Sequence, residues 1–559
     1  MASLQRRKVN GYYYWYIVES RRINGKPRPV TIAYLGSVEK ILGMVKNGVT
    51  VTNVKSYSHG AVHALWNIAK KNNILDVLES VFPPQKRDGL DRSTSILMSA
   101  VYRAIYPGSK NEFADWVKTT TLPSILKFNP EKIDSQHFWD QMNGITEDML
   151  YKAEDTISEM ILKSYDISLE KLALDYTNYF TYIDSNNKKS ELTDRGHNKQ
   201  KRTDLRQFSL ALITTKEFTV PLCSYVYEGN INDITVFPEY LEQIKTRASK
   251  YSDLDNITLV YDKGSVSKDN LKAIENHESS INYLCGFSLS SCKELYDIPK
   301  NEYIEVAVKD KEVLCYRTTK KIWGKDRDCI LTYSNELMEG QYNGLLKSVT
   351  KKIDELNELK KQLRNDKSRI SRKPVDIDIK IKGILSGDYG KNIIIVDKVG
   401  IESIVDINFY VDEENMTSII KKYYGKKLLI TTRNDWSSEE IIETYLDQYA
   451  IESIFKDTKN PHHFAIHPQY HWTDQKVRVH TFYCLLGLLL TSLLKKELYD
   501  KGIKIENKKL IDTLHNIRLS YLMSSNKKKK WGVDVKKVIE DMNENEEKIW
   551  NCLNEVFDN

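Results

Sequence analysis

The sequence predicts an α/β fold: a mixed sheet covered by helices. Three observations predict it. From residue 169, strand-like and helix-like segments run strand, strand, strand, helix, strand, helix, strand, and such alternation places helices on a sheet. Before them, residues 56–168 carry apolar positions at helical spacing. After them, residues 290–430 return to strand-like runs around one charged helix.

The elements are justified in order. Residues 1–55 form a β-hairpin module: "YYYWYIVES" and "PVTIAYLG" are strand-like, and Asn24-Gly25 between them is a strong hairpin turn. Its Lys and Arg residues suit a DNA-gripping module, and a packed N-terminal hairpin is an equal alternative. In 56–168, "AVHALWNIAKKNNILDVLESVF" and "STSILMSAVYRAIY" repeat apolar residues at i, i+3, i+4. Pro83-Pro84 and Pro107-Gly108 break that helical run. Residues 169–289 hold the first part of the sheet. A strand ends near Asp175, two more follow with a turn at Thr215-Lys216, and the short buried strand in "NITLVYDKGSVS" ends on Asp262. Residues 290–430 read as an insertion, mostly β, with the helix "LLKSVTKKIDELNELKKQLRND" as an arm. Its apolar positions Leu346, Val349, Ile353, Leu356 and Leu363 are interrupted by Lys360, which argues against a long zipper. In 431–498, "WSSEEIIETYLDQYAIESIFKDTK" reads as one long helix capped by Ser437 or Ser438. Residues 499–559 read as a helical, basic tail that includes Lys527 to Lys530.

Composition limits the function. At 559 residues and 41% hydrophobic, the chain has material for several cores and is not disordered. A net charge of +6 is the balance of 83 basic and 77 acidic residues, so charge alone does not indicate nucleic acid. The 34 Tyr against 14 Phe suit half-wet surfaces, or reflect A/T-rich coding. Seven scattered Cys without a C-x-x-C pair imply reduced thiols inside a cell. The N-terminal residues lack an apolar signal region, and the run "FYCLLGLLLTSLL" falls short of the ~18 residues a membrane span needs, so a buried core helix and no membrane are expected.

Three carboxylates then stand out: Asp175 and Asp262 at strand ends, and Glu452 on the later helix. One reading is bland, since a strand-end Asp serves as a turn or cap and a helical Glu faces water. The other is a metal site. Magnesium prefers oxygen ligands, and two such ions about 3.5–4 Å apart can activate a nucleophile and stabilise the leaving oxygen of a phosphodiester.

The helix supplies a more specific mark. Tyr445, Gln448, Glu452 and Lys459 have the spacing of Y-x2-R-x3-E-x6-K. This resembles the signature of DDE-type insertion-sequence transposases that move by cut and paste. "SKNEFADWV", "DYTNYF", "GHNKQKRTDLRQ", "YEGNINDITVF", "DKGSVSKDNL" and "HPQYHWTDQKVRVHTFYCLLGLLL" resemble the same family in the same order. Together they cover most of residues 10–500.

The resemblance implies a ribonuclease-H-like fold and a DNA transposase. It implies Asp175, Asp262 and Glu452 as catalytic ligands of two Mg²⁺ ions, with Mn²⁺ substituting. Tyr445 and Lys459 then face DNA. Gln448 replaces the family's Arg and lacks the guanidinium fork, which puts a phosphate contact in doubt. Lys199 and Arg202, in the basic loop after the first strand, would bind phosphate, with a solvated loop as the alternative. Trp323 would stack on a flipped base from the insertion, with a packed strand-end Trp as the alternative. His471, Trp472 and His480 are expected in packing or supporting roles. The partners implied are double-stranded DNA, as element ends and target, and a second copy forming a homodimer on paired ends. The implied location is a prokaryotic cytoplasm, nucleoid-associated when DNA is bound. A structure-specific nuclease of the same fold and a non-catalytic DNA-binding descendant are the alternatives.

Overall fold

A computed structural model describes the chain at all positions except 1, 10, 24–25, 47–50, 197, 199–201, 251, 277–279, 366, 400–405, 460–464, 468, 526–532 and 559. The chain divides into two compact units: Met1–Ile257 with Gln448–Asn559, and Thr258–Asp447.

The first unit opens with a three-stranded antiparallel sheet, Ala2–Val9, Tyr12–Ile23 and Lys26–Gly36. The expected hairpin is its second and third strands, with Ile23 opposite Lys26; the turn Asn24-Gly25 lies outside the described residues. Ala2–Val9 was not expected to be a strand, because "ASLQRRKV" has little β-forming character of its own. Pairing holds it, and Arg6 and Arg7 lie 4.3 and 4.9 Å over the rings of Tyr13 and Tyr16.

The helical region appears as expected, from Gly60–Lys71 to Glu147–Ser164. Its centre is Asp474–Asp500, packed on Gly60–Lys71 and Arg92–Ile105. That helix has 27 residues, more than its apolar run suggested. By length and composition alone it would cross a membrane, but 94% of its apolar window is buried within the fold. Gly487 allows the close approach, since a Cβ there would stand 2.6 Å from the Ala100 carbonyl oxygen.

The tail differs from the helical expectation. Arg518–Ser525 and Val533–Ile539 are strands, and the first of them pairs with Val51–Ser58 to complete a three-stranded sheet. The pairing partner lies at the other end of the sequence, so local pattern gives no hint of it. Lys527 to Lys530 lie outside the described residues. The unit also holds an antiparallel meander, Lys171–Thr181, Arg206–Thr215 and Pro221–Glu228, followed by the helix Asp233–Ala248.

In the second unit a mixed sheet runs in the order Ile304–Val308, Lys311–Ile322, Lys325–Tyr333, Lys426–Thr431, Asn282–Phe287, Thr258–Tyr261. The last two are parallel and joined through the helix Lys268–Ile274, while the other pairs are antiparallel. Four strands of the expected insertion, Lys426–Thr431 among them, therefore extend the sheet that carries the Asp262 strand. The rest of it is more helical than expected. The helix Asn335–Arg364, the helices Pro374–Ile384 and Glu413–Tyr423, and the strand pair Ile394–Val399 and Asp406–Val411 enclose a separate core. Leu359 fills the seam beside Lys360, so the interrupted pattern still packs.

Candidate active site

Asp175 lies in the first strand of the meander, opposite Leu212, and not near its end as expected, because the strand keeps pairing past it to Thr181. Burial on this strand changes phase there: Leu172 and Leu174 are buried before it, and Thr177, Tyr179 and Thr181 after it. Asp175 is half-buried, and its Oδ1 accepts the Tyr176 N–H at 2.8 Å. Successive strand residues alternate faces, so Asp175 shares a face with Tyr179. That face is covered by the helix Tyr449–Lys459, where the Tyr179 hydroxyl meets Thr458 Oγ1 at 2.6 Å.

The helix buries Ile451, Ile454, Phe455 and Thr458, an i, i+3, i+4, i+7 stripe. Its polar side presents Glu452, Lys456 and Lys459 at i, i+4, i+7. Glu452 is exposed, and Lys459 Nζ stands 5.7 Å from the centre of the Tyr179 ring. Lys456 was not singled out from sequence; it stands 4.6 Å from the centre of the exposed Tyr449 ring. Its spacing from Glu452 was the available signal.

Asp262 follows the fully buried strand Thr258–Tyr261 and is itself exposed. Tyr445 Oη donates to Asp262 Oδ1 at 3.2 Å. Gly286 leaves room for the pair, since a Cβ there would stand 2.8 Å from Tyr445 Oη and 3.4 Å from Asp262 Oδ1. Asp175 and Glu452 belong to the first unit, Asp262 to the second. Among the described residues no three His, Cys, Asp or Glu side chains gather to hold a metal ion.

Two residues expected to face DNA sit elsewhere. The single long helix is two, Ser438–Leu446 and Tyr449–Lys459, with a turn at Asp447–Gln448. Tyr445 is 6% exposed, packed among Val260, Leu284, Trp436 and Ile441, with Lys427 Nζ 4.1 Å from its ring centre. An amphipathic tyrosine finds more apolar contact there than at a surface and still satisfies its hydroxyl on Asp262. Gln448 is 6% exposed, and its carbonyl oxygen accepts the Ile451 N–H. A neutral amide tolerates that burial better than a guanidinium. Gln448→Arg is therefore expected to destabilise the protein by roughly 1–3 kcal/mol, read as a lower urea midpoint. An unchanged midpoint would return this side chain to the surface.

Arg202 is exposed and already bound: its Nε and Nη2 each donate to Asp204 at 2.7 Å. That pairing holds the Asp204 carboxyl down to about 2. Lys199 lies outside the described residues. His480 uses both ring nitrogens, on Tyr483 Oη at 2.6 Å and the Ile466 carbonyl at 2.9 Å. His471 is buried, and Trp472 stacks on Trp139 at 5.6 Å. The two histidines are satisfied inside the fold, as expected, while Trp472 is exposed rather than packed away.

Trp323 is 39% exposed at the tip of the hairpin Lys311–Tyr333, with Phe287 edge-on at 5.2 Å. Trp323 and Gly324 form its two-residue turn with φ of 47° and 92°. Positive φ at both positions is the geometry that favours Asn-Gly, and a bulky residue there is strained. Trp323→Asn is expected to stabilise the protein by about 1 kcal/mol. A lower melting temperature would mean that the indole contributes packing the strain does not outweigh.

No protein-family model matches the sequence, and no curated protein matches it. Among solved structures it is similar to a piggyBac transposase in a synaptic complex with hairpin DNA, with 8% identity and a TM-score of 0.35, over 81% of this chain and 77% of that one. At that TM-score the likeness carries no argument. The chain itself is a mixed α/β protein, with Asp175 inside a strand of one unit and Asp262 just past the end of a strand of the other.

Proposed function

We propose that the chain is a DNA transposase of the DDE type, which cuts beside the ends of an element and joins the exposed 3′-hydroxyls to target DNA. The observation that carries this reading is the setting of Asp262. It is an exposed carboxylate at the carboxyl end of a buried parallel strand, oriented by a buried hydroxyl and given space by a glycine. Open α/β sheets place their ligands outside the carboxyl ends of strands. Asp175 within the meander and Glu452 on the helix that covers it complete the signature acids.

In this reading Asp175, Asp262 and Glu452 would be the ligands of Mg²⁺, which prefers carboxylate oxygen to thiolate or imidazole, with Mn²⁺ as a substitute. Bound there, magnesium would supply charge stabilisation at the reacting phosphate. The chain's own residues have separate tasks. Tyr445 holds one Asp262 oxygen and so fixes the direction of the other. Lys456 and Lys459, on the face that carries Glu452, offer positive charge to the DNA backbone. In the reaction, water attacks phosphorus and the P–O3′ bond breaks, leaving a 3′-hydroxyl and a 5′-phosphate. That hydroxyl then attacks a target phosphodiester, whose own 3′-oxygen leaves. A homodimer on paired ends and a prokaryotic cytoplasmic location belong to the same proposal.

Trp323 is assigned a stacking role on an unpaired base. Trp323→Ala should leave the first nick at its normal rate and slow later strand processing on the order of tenfold. Equal slowing of both steps would assign the ring to packing.

The test is a plasmid carrying the coding region's flanking repeats, incubated with purified protein and Mg²⁺. The expected result is cleavage at the repeats and joined products in a target plasmid. Cleavage without joining would indicate a nuclease. Binding without cleavage would indicate a non-catalytic descendant.

A further inference from the structure

A cavity of about 260 Å³ opens within the first unit, between the helices Arg92–Ile105 and Lys110–Lys118 and the segment at Tyr470–His471. Arg103, Lys110, His471 and His480 line it, and among the described residues no carboxylate does. Arg103 is buried, and it donates to the carbonyls of Gly108, Ala465 and His467 rather than to an acid. Its Nε–H has no hydrogen-bond partner among the described residues. Lys110 Nζ donates to His471 Nε2, and His471 Nδ1 meets Gln469 Oε1, so this imidazole is neutral. Burial pushes the Lys110 amine down to about 7, and Arg103 and Lys476 push it the same way.

A buried guanidinium and an amine without a carboxylate between them form an incomplete ion pair. Charges held out of water are costly unless paired. The missing partner is an anion. A metal ion is excluded by the same cations, which would repel it. The walls say what else the anion carries. Phe113, stacked between Tyr102 and Phe138, closes one wall, and half-buried Trp139, flat against His471 at 5.8 Å, is the ring that reaches the opening. Aromatic faces continue outside: Trp472 stacks on Trp139, Lys189 Nζ stands 4.8 Å from the Trp472 ring centre, and exposed Tyr470 lies 5.7 Å from exposed Tyr182. Alternating aromatic and basic groups along a surface are what a single nucleic-acid strand needs: stacking for bases and charge for phosphates.

We propose that this cavity is a nucleotide-binding site, taking the phosphate on Lys110 and Arg103 and the base against Trp139, and that the nucleotide arrives as an unpaired residue of a DNA strand. The choice of DNA rests on the proposed function; the need for a phosphate bearing a flat ring does not.

Calorimetric titration of the full-length protein in EDTA tests it, with inorganic phosphate, a deoxynucleoside 5′-monophosphate and a single-stranded octanucleotide. The octanucleotide should bind at least tenfold more tightly than the monophosphate, and the monophosphate at least tenfold more tightly than phosphate. Lys110→Gln and Trp139→Phe should each weaken the octanucleotide, by about tenfold and threefold, with unchanged melting temperatures. A monophosphate that binds as tightly as the octanucleotide, and is still weakened by Lys110→Gln, would keep the site and overturn its supply from a strand. Equal binding of octanucleotide by wild type and both variants would overturn the site. Without divalent cations and without element-end sequence, the result is independent of cleavage, so failure of the site and failure of the transposase reading are separately visible.

Discussion

Replacing Asp175, Asp262 or Glu452 by Ala is expected to abolish DNA cleavage while leaving end binding within about threefold of wild type, because phosphate contacts supply most of the affinity. The loss should be at least the ~10²–10³-fold that follows removal of one electrostatic stabiliser from an active site. The fold should survive. Asp262 and Glu452 are exposed and Asp175 is half-buried, and substitutions at such positions usually change stability by ~0.5 kcal/mol or less. Three measurements separate the cases: strand cleavage in Mg²⁺, retention of labelled ends in a gel-shift assay, and thermal unfolding. Full cleavage by one variant would remove that residue from the site. Tyr445→Phe offers an internal comparison. It keeps the ring in its apolar setting and deletes only the hydroxyl on Asp262, so cleavage should fall by less than in Asp262→Ala, with little change in stability.

The largest effect on stability is expected at Gly487. A Cβ there meets the Ala100 carbonyl oxygen at 2.6 Å and the Ala104 Cβ at 3.4 Å. The nearest atom is backbone, so relief requires two helices to separate. Gly487→Ala gains about 1 kcal/mol of helix propensity but incurs overpacking of roughly 1–3 kcal/mol, for a net loss. Gly487→Leu adds a full side chain to the same contact and is expected to prevent soluble expression. Gly340→Ala is the control. That glycine is exposed, lies in the long helix Asn335–Arg364, and has nothing within 4 Å of a Cβ. It should gain ~0.5–1 kcal/mol. Urea unfolding of the three proteins reads both signs. A Gly487→Ala protein as stable as wild type would mean the helices separate at negligible cost.

These contrasts show what local pattern carries. The order of strands and helices from residue 169 and the strand before Asp262 are legible because their apolar runs are bounded by turn residues, whereas the end of the first strand is not, since pairing carries it past Asp175 to Thr181. The three-stranded sheet of Val51–Ser58 with the C-terminal strands was not. The pairing that defines it joins residues more than 400 positions apart, so no local pattern announces it. The turn at Asp447–Gln448 escaped for a different reason: the segment contains neither Gly nor Pro, so nothing in it marks a break. Tyr445 and Gln448 were placed on a surface because signature spacing gives position along the chain but not burial. The cationic cavity was invisible because Arg103 and Lys110 look like ordinary helix residues until Ala465, His467 and His471, far along the chain, meet them.

The discontinuity of the first unit sets an order of synthesis. Helices Gly60–Lys71 and Arg92–Ile105 are made early, but the helix that packs on both, Asp474–Asp500, is made after the whole second unit. At about 5–20 residues per second, the early helices wait tens of seconds with their apolar faces uncovered. The second unit, contiguous in sequence, has no such wait. On the ribosome, nascent chains stalled before residue 474 should therefore recruit holdase chaperones through the N-terminal helices, and release from them should coincide with emergence of the apolar helix.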